Sequence, residues 1–466
     1  MPGSYKVGVW AIEARKLVKG VSYRVAWTVD GRMFRDTFHT RALADGFRSD
    51  LVAATRKGEA FDTESGLPVS MARTRSSLSW YELSIKYVDM KWPRAAAKSR
   101  AGVADMLATV MPAMLSGDRG RPDVKAMRTA LTGWAYNVIR RDTDKPPEVE
   151  RTLAWLAANT VKVSELEDVA FLRKALDALA LKMDGGHAAA KTVTRKRAGF
   201  HNTLEYAVEL KALSVNRLGE VKWQIPKTVK AIDKRVVVNP RQAVALLDAV
   251  AAQKVEGQPR RSSGPMLRAY FASMYYAGLR PAEAAMLGRK ELRALPKEGW
   301  GELLLSDTAP IAGAAWTDTG ERRDRRHLKH RAAHEVRVAQ SPPVLTGILN
   351  EHVERFGYAG DGRLFRGLDG GQVAESTIAR VYDKARKVAL TEEEYRSPLA
   401  KRPYDLRHAF VSTCLMAGVP PRQIAEWVGH SVWVLLQIYA QVIVGMEDMA
   451  RSRIDEAYRE LVPGSV

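Results

Sequence analysis

Between Pro403 and Tyr439 the chain sets an arginine, a histidine and a tyrosine at intervals that short helices can fold onto one point. The stretch reads Pro403-Tyr404-Asp405-Leu406-Arg407-His408, then an apolar run, then Trp427-Val428-Gly429-His430-Ser431, then Ile438-Tyr439-Ala440. A phenol so placed is a nucleophile for a phosphodiester, and cationic side chains beside it would carry the charge that grows on the phosphate oxygens. That combination points to strand transfer on DNA.

Two further blocks lie upstream. Tyr276-Ala277-Gly278-Leu279-Arg280-Pro281-Ala282-Glu283 brings a second arginine with a carboxylate one helical turn on, and His327-Leu328-Lys329-His330 falls inside the basic stretch Arg322 to Arg331. A guanidinium suits a phosphate because its planar fork donates two parallel hydrogen bonds and stays charged at any biological pH. His330 and His334 are four apart, as in a metal pair on a helix. A strand pattern around them would break that face, and no carboxylate or cysteine completes a set, so no metal is expected. The chain contains no Gly-Lys pair and hence no phosphate-binding loop, so no cofactor is expected either.

The bulk numbers fit such chemistry. At 466 residues two to four domains are expected, and 46% hydrophobic with 27% charged residues is ordinary for a globular chain. The formal charge of +20 calls for a polyanionic partner, nucleic acid first, although basic proteins that bind membrane surfaces share it. No run of about 18 apolar residues marks a membrane span. Met1 to Tyr23 interleaves Lys and Arg with Val, Trp and Ile, without an export signal, so a cytoplasmic, nucleoid-associated location is expected. The single cysteine, Cys414, fits a reducing compartment and reads as a buried structural thiol.

Around these blocks the periodicity predicts a multidomain, mainly α chain with small β-sheets. Residues 1–62 form a three-stranded sheet plus helix. Tyr23, Val25 and Trp27 alternate with polar neighbours, Asp30-Gly31 makes a tight turn before Met33 to Phe38, and Leu43, Phe47 and Leu51 stripe a helix capped by Thr40. Its Arg24, Arg32 and Arg35 either lie against a DNA groove or form a solvated sheet face. Residues 63–76 read as linker. Residues 77–225 form a helical domain with helices at Trp80 to Met90, Ala101 to Leu115, Val124 to Ile139, Val163 to Lys182 and Ala188 to Leu213. In it Lys191, Arg195 and Lys196 are candidate phosphate contacts, against the alternative of a wet helix face. Residues 235–466 hold the four blocks: helices up to Leu287, strands at Gly301 to Ser306 and Glu335 to Gln340 with Lys329 between them, and helices from Pro342 onward.

In the order Arg280, Lys329, Arg407, His430, Tyr439, with a nine-residue step from His430 to Tyr439, the set resembles the tyrosine recombinase family, the phage-integrase-like enzymes that break and rejoin DNA. The likeness covers the third region, and the order of modules resembles the longer integrases with an N-terminal arm-binding domain. The resemblance implies an α+β catalytic domain in which Arg280 and Arg407 hold the scissile phosphate, Glu283 orients the site, Lys329 protonates the departing 5′-hydroxyl, His430 hydrogen-bonds the phosphate and Tyr439 attacks. Attack would leave a 3′-phosphotyrosyl intermediate and store the bond energy, so that rejoining needs neither ATP nor metal. It further implies double-stranded DNA attachment sites, a homotetramer on DNA, an accessory DNA-bending or directionality protein, no membrane, and a role in site-specific recombination such as integrating or excising a mobile element.

One position departs from the family. Where a histidine usually stands three residues before the second arginine, this chain has Tyr404, a poor base at neutral pH. The proton of Tyr439 would then go to a phosphate oxygen, His430 or water, and His408 is expected to be a buried structural residue. At Lys329 a shift of hairpin register would nominate Arg325, Arg326, His330 or Arg331 instead. Residues Met446 to Leu461 read as a charged helix, either docked on a neighbouring protomer or solvated. Two other readings remain: a type IB topoisomerase-like enzyme, and a DNA-binding protein on an inactive recombinase scaffold.

Overall fold

Strand alternation and a two-residue turn build the first sheet. In the computed structural model, which describes residues 3–17, 20–38, 40–71, 78–224, 226–227, 231–253, 263–328, 335–367, 370–443 and 447–461, Asp30 and Gly31 take φ of 49° and 81°. Positive φ at both positions is the geometry that matches the twist of a hairpin. The strands β1 (Gly3–Ser4), β2 (Val7–Val9), β3 (Glu13–Leu17), β4 (Gly20–Val29) and β5 (Arg32–Phe38) precede α1 (Arg41–Arg56) and β6 (Phe61–Asp62). The long β4 is central: β5 pairs along one edge, from Val29↔Arg32 to Tyr23↔Phe38, while β2 and β3 share the other.

Val25, Trp27 and Val29 project to the side covered by α1, and Trp27 meets Phe47 edge-on at 5.4 Å. The apolar stripe of α1 is Ala44, Phe47, Leu51 and Ala54; Leu43, expected in it, is 59% exposed. Phe47 and Leu51 lie in it as expected, but it starts one residue later, at Ala44, which keeps the i, i+3, i+7 spacing, while Leu43 stays beside the Thr40 cap, whose hydroxyl accepts from its amide. The stretch that composition reads as linker from residue 63 begins inside this core. Phe61 and Leu67 are buried, and Asp62 accepts from Ser65 and pairs with Gly3 across β6 and β1.

The chain divides into two compact units, Met1–Lys227 and Thr228–Val466. In the first, beyond the sheet, run α2 (Trp80–Lys91), α3 (Ala97–Val110), α4 (Val124–Ala130), α5 (Pro147–Ala158), α6 (Val169–Leu179) and α7 (Ala190–Glu209). A capping box between Ser79 and Glu82 starts α2, whose Trp80 packs on Phe200 of α7 at 5.7 Å. Sequence periodicity misses α5, because Pro146-Pro147 reads as a break. Pro147 is instead the first helical residue, where its absent N–H costs nothing.

In the second unit α8 (Pro240–Ala251) is started by an Asn239–Gln242 capping box, and α9 (Ser263–Tyr276) is buried on almost every side, from Leu267 to Tyr275. Then come α10 (Pro281–Ala284), β7 (Leu292–Ala294), β8 (Gly301–Leu305), β9 (Asp307–Thr308), β10 (Arg326–His327) and β11 (Arg337–Ser341). Antiparallel β8 is central between β7 and β11, and β9 pairs β10, so the two expected strands do form a hairpin. After it follow α11 (Pro343–Phe356), α12 (Glu375–Ala389), α13 (Glu392–Arg396), α14 (Tyr404–Met416), α15 (Pro421–Val428), α16 (Val432–Ile443) and α17 (Glu447–Leu461). This unit begins before residue 235: Ile232 is buried against Leu435 and Tyr439, and its amide donates to the Ile438 carbonyl at 2.9 Å. No described helix is long and apolar enough to cross a membrane.

Candidate active site

The site forms where α15 ends. Gly429 takes φ 65° as the left-handed cap, and a Cβ there would lie 2.3 Å from Arg337 Nη1, so both conformation and space demand glycine. The last carbonyls of α15 lack helical partners and carry the negative end of its dipole. Three guanidiniums use them. Val428 O accepts from Arg407 Nη2 at 2.6 Å and from Arg337 Nη1 at 3.1 Å, and Gly429 O accepts from Arg280 Nη2 at 2.9 Å. Gly278, at φ 63°, turns the chain into α10 where a Cβ would strike Phe410 at 2.5 Å; its carbonyl accepts from Arg407 Nη1.

Glu283 holds the same three arginines from the other side. Its carboxylate accepts from Arg280 Nη1 at 2.6 Å and Arg337 Nη2 at 2.7 Å, and lies 3.9 Å from Arg407 Nη1. Burial pushes this carboxyl upward, but Arg337, then Arg280 and Arg407, outweigh it and hold it at about 2. Three guanidiniums against one carboxylate leave two buried positive charges without a counter-charge in the cluster. An anionic partner would offset them.

Arg407 is fully enclosed, and burial first, then the neighbouring Arg280, lower its guanidinium to about 10. Its Nη2 also meets His430 Nε2 at 3.0 Å. His430 is held neutral at about 3 by burial and by Arg407, and its Nδ1 is buried without a partner. Because Nε2 accepts from a guanidinium, the ring proton is assigned to Nδ1, a donor with nothing to donate to.

The next residue on α14 faces another way. His408 Nδ1 lies 2.7 Å from Tyr439 Oη, and the Tyr404 ring, one turn back, packs edge-on against the imidazole at 5.1 Å. His408, expected to be a buried structural residue, is half-buried and touches Tyr439: the i, i+4 pair Tyr404 and His408 shares one face of α14 while Arg407 serves another. Tyr439 is fully buried. Its phenol is pushed above the ordinary tyrosine range by burial, with only partial relief from Arg407. The phenolate is therefore not favoured in this enclosed state.

Arg280, Glu283, Arg407 and His430 thus share one cluster, and Tyr404 and Tyr439 share the second through His408. Sequence reasoning missed Arg337, which is 2% exposed in β11. Lys329, with its rivals His330 and Arg331, lies outside the described residues. Of the other rivals, Arg325 is paired with Asp307 at 2.8 Å and Arg326 sits in β10. Cys414 is half-buried, and burial alone pushes its thiol to about 12, far from reactive. Among the described residues no group of three or more His, Cys, Asp or Glu could hold a metal ion.

In the first unit the expected phosphate contacts divide. Lys196 is buried, 2.7 Å from Thr109 Oγ1 and 3.3 Å from Asp105, because it follows Val193 and precedes Phe200 on the core stripe of α7. It is a packing residue rather than a surface cation. Lys191 and Arg195 are exposed. On the sheet, Arg24 and Arg35 share the face away from α1, Arg24 within 3.7 Å of Glu13, while Arg32 points to the other side and lies over Phe34 at 5.3 Å.

Solved structures with a similar fold exist. The integrase of transposon Tn1549 with transposon right end DNA matches at 17% identity and TM-score 0.46, over 68% of this chain and 98% of that one. A lambda integrase dimer bound to a COC′ core site matches at 10% and 0.42, over 66% and 91%. The XerH recombinase in its pre-cleavage complex with difH matches at 14% and 0.40, over 74% and 92%. No protein-family model and no curated protein sequence matches this chain.

Proposed function

We propose that the protein is a tyrosine-type site-specific DNA recombinase, with Tyr439 as nucleophile, and that it integrates or excises a mobile element. The observation that supports this most is the Arg280–Glu283–Arg337–Arg407–His430 cluster: two excess positive charges and an unpartnered imidazole N–H, one residue along α14 from the contact to Tyr439. In this reading Arg280 and Arg407 receive the scissile phosphate, His430 donates to it from Nδ1, and Glu283 with Arg337 fixes the guanidiniums. Preorganised donors of this kind are worth roughly 10² to 10³ in rate each. Lys329 protonates the 5′-oxygen. Since Tyr439 is enclosed, the DNA complex must bring it to the phosphate. Exposed Lys191 and Arg195 of the first unit, and Arg24 and Arg35 of its sheet, supply phosphate contacts that position the duplex. The active assembly is a homotetramer on two DNA attachment sites, with an accessory DNA-bending protein.

The test is a covalent trap. Protein and its Tyr439→Phe variant are incubated with fragmented DNA from around the gene and from the host, denatured, and the linked fragments sequenced at their 3′ ends. Adducts at one or two defined sites, lost in the variant, support the reading. Scattered adducts would replace it with topoisomerase-like action, and no adduct on a DNA that the protein binds site-specifically would replace it with a binding scaffold.

A further inference from the structure

Resting on that reading, we propose that His408 is the general base that takes the proton of Tyr439. The 2.7 Å separation of Nδ1 and Oη is within the reach a base needs. The two other side chains near it are occupied or unsuited. His430 turns its acceptor nitrogen to Arg407, which leaves it a donor; Tyr404 is a phenol. Tyr404 has a different use here, fixing the imidazole plane by edge-on contact at 5.1 Å. Burial lowers His408 to about 4 and so keeps it neutral, and the base role is assigned to the tautomer that carries its proton on Nε2 and leaves Nδ1 to accept.

The step balances within the site. The phenolic proton moves to Nδ1 as the Oη–P bond forms, the P–O5′ bond breaks, and the 5′-oxygen takes a proton from Lys329. On rejoining, the neutral Lys329 amine takes back the proton of the 5′-hydroxyl as its oxygen attacks phosphorus, the Oη–P bond breaks, and the imidazolium returns its proton to the departing Tyr439. Bound phosphate brings the negative charge that favours the imidazolium. Because Arg407 and His408 are adjacent on α14, a single helix carries both the charge-binding group and the base.

The experiment uses the full chain on the DNA site recovered by the covalent trap, comparing wild type with His408→Asn and His408→Gln. Both variants offer Tyr439 a polar partner without a basic nitrogen. Single-turnover adduct formation is expected to fall about 10²- to 10⁴-fold with DNA affinity unchanged. A second readout separates catalysis from support: 3-fluorotyrosine at position 439, a more acidic phenol, should restore more rate in the variants than in wild type. Variants within about twofold of wild type, or an equal effect of fluorination in both, would overturn the proposal. Wild-type protein that forms no adduct would instead remove the functional reading beneath it.

Discussion

Replacing Glu283 with glutamine removes one negative charge while keeping shape, and leaves the buried Arg337 and Arg407 and the partly buried Arg280 unopposed. The carboxyl is held at about 2 in the folded protein against 4.5 for a free glutamate. A difference of that size is worth about 3 kcal/mol at neutral pH. Breaking a buried pair by removing one partner costs about 3–5 kcal/mol, which agrees. The sign follows from the lowered value: the contribution is full above 4.5 and is lost as pH falls toward 2. At pH 3 the wild-type advantage should shrink to about 1.5 kcal/mol. The assay is urea unfolding of the full chain, followed by hydrogen exchange of the α9 amides. With a slope of about 1–3 kcal/mol per molar, the midpoint of Glu283→Gln should drop by roughly 1–3 M at pH 7 and by about half as much at pH 3. A loss below about 1 kcal/mol at pH 7, or one that does not change with pH, would refute the claim that Glu283 neutralises this cluster.

Arg407→Lys keeps the charge but cannot bridge Gly278 O, Val428 O and His430 at once, so adduct formation should fall about 10²- to 10³-fold in a single-turnover assay. Gly429→Ala places a Cβ 2.3 Å from Arg337 Nη1 at a left-handed φ; a loss of at least about 1–2 kcal/mol in thermal unfolding is expected, with slower adduct formation. Lys196→Met should lower the stability of the first unit without changing the salt dependence of DNA binding, whereas Lys191→Ala with Arg195→Ala should flatten that dependence by a slope of roughly one to two, read by fluorescence anisotropy across salt concentrations.

The blocks around Arg280, Arg407, His430 and Tyr439 were legible because each is a local pattern, a turn glycine or helix end beside a charged residue. The fold class was legible from periodicity, down to the Asp30-Gly31 turn and the 301–305 and 337–341 hairpin. Arg337 was not. In β11 the inward positions are Arg337, Ala339 and Ser341, while Val336 is 45% exposed, so the hydrophobic alternation that assigns faces points the wrong way. The carboxylate 54 positions upstream and the Val428 carbonyl make that arginine an interior residue. Lys196 misled for the same reason: a cluster of cations on a helix does not show which one turns inward to meet Asp105. The contact between His408 and Tyr439 depends on where α14 and α16 cross, which no local pattern encodes. That Arg407 and its neighbour serve different clusters follows from the roughly 100° between successive helical residues, once both partners are placed.

The central claim is that Tyr439 attacks a DNA phosphate. Its most direct measurement is mass spectrometry of the digested protein–DNA adduct formed on the trapped site, with nuclease trimming to a short 3′-nucleotide remnant. The remnant mass is expected on the peptide containing Tyr439 and on no other, with His430 and His408 unmodified. A remnant on Tyr404, or an adduct that survives Tyr439→Phe, would contradict it.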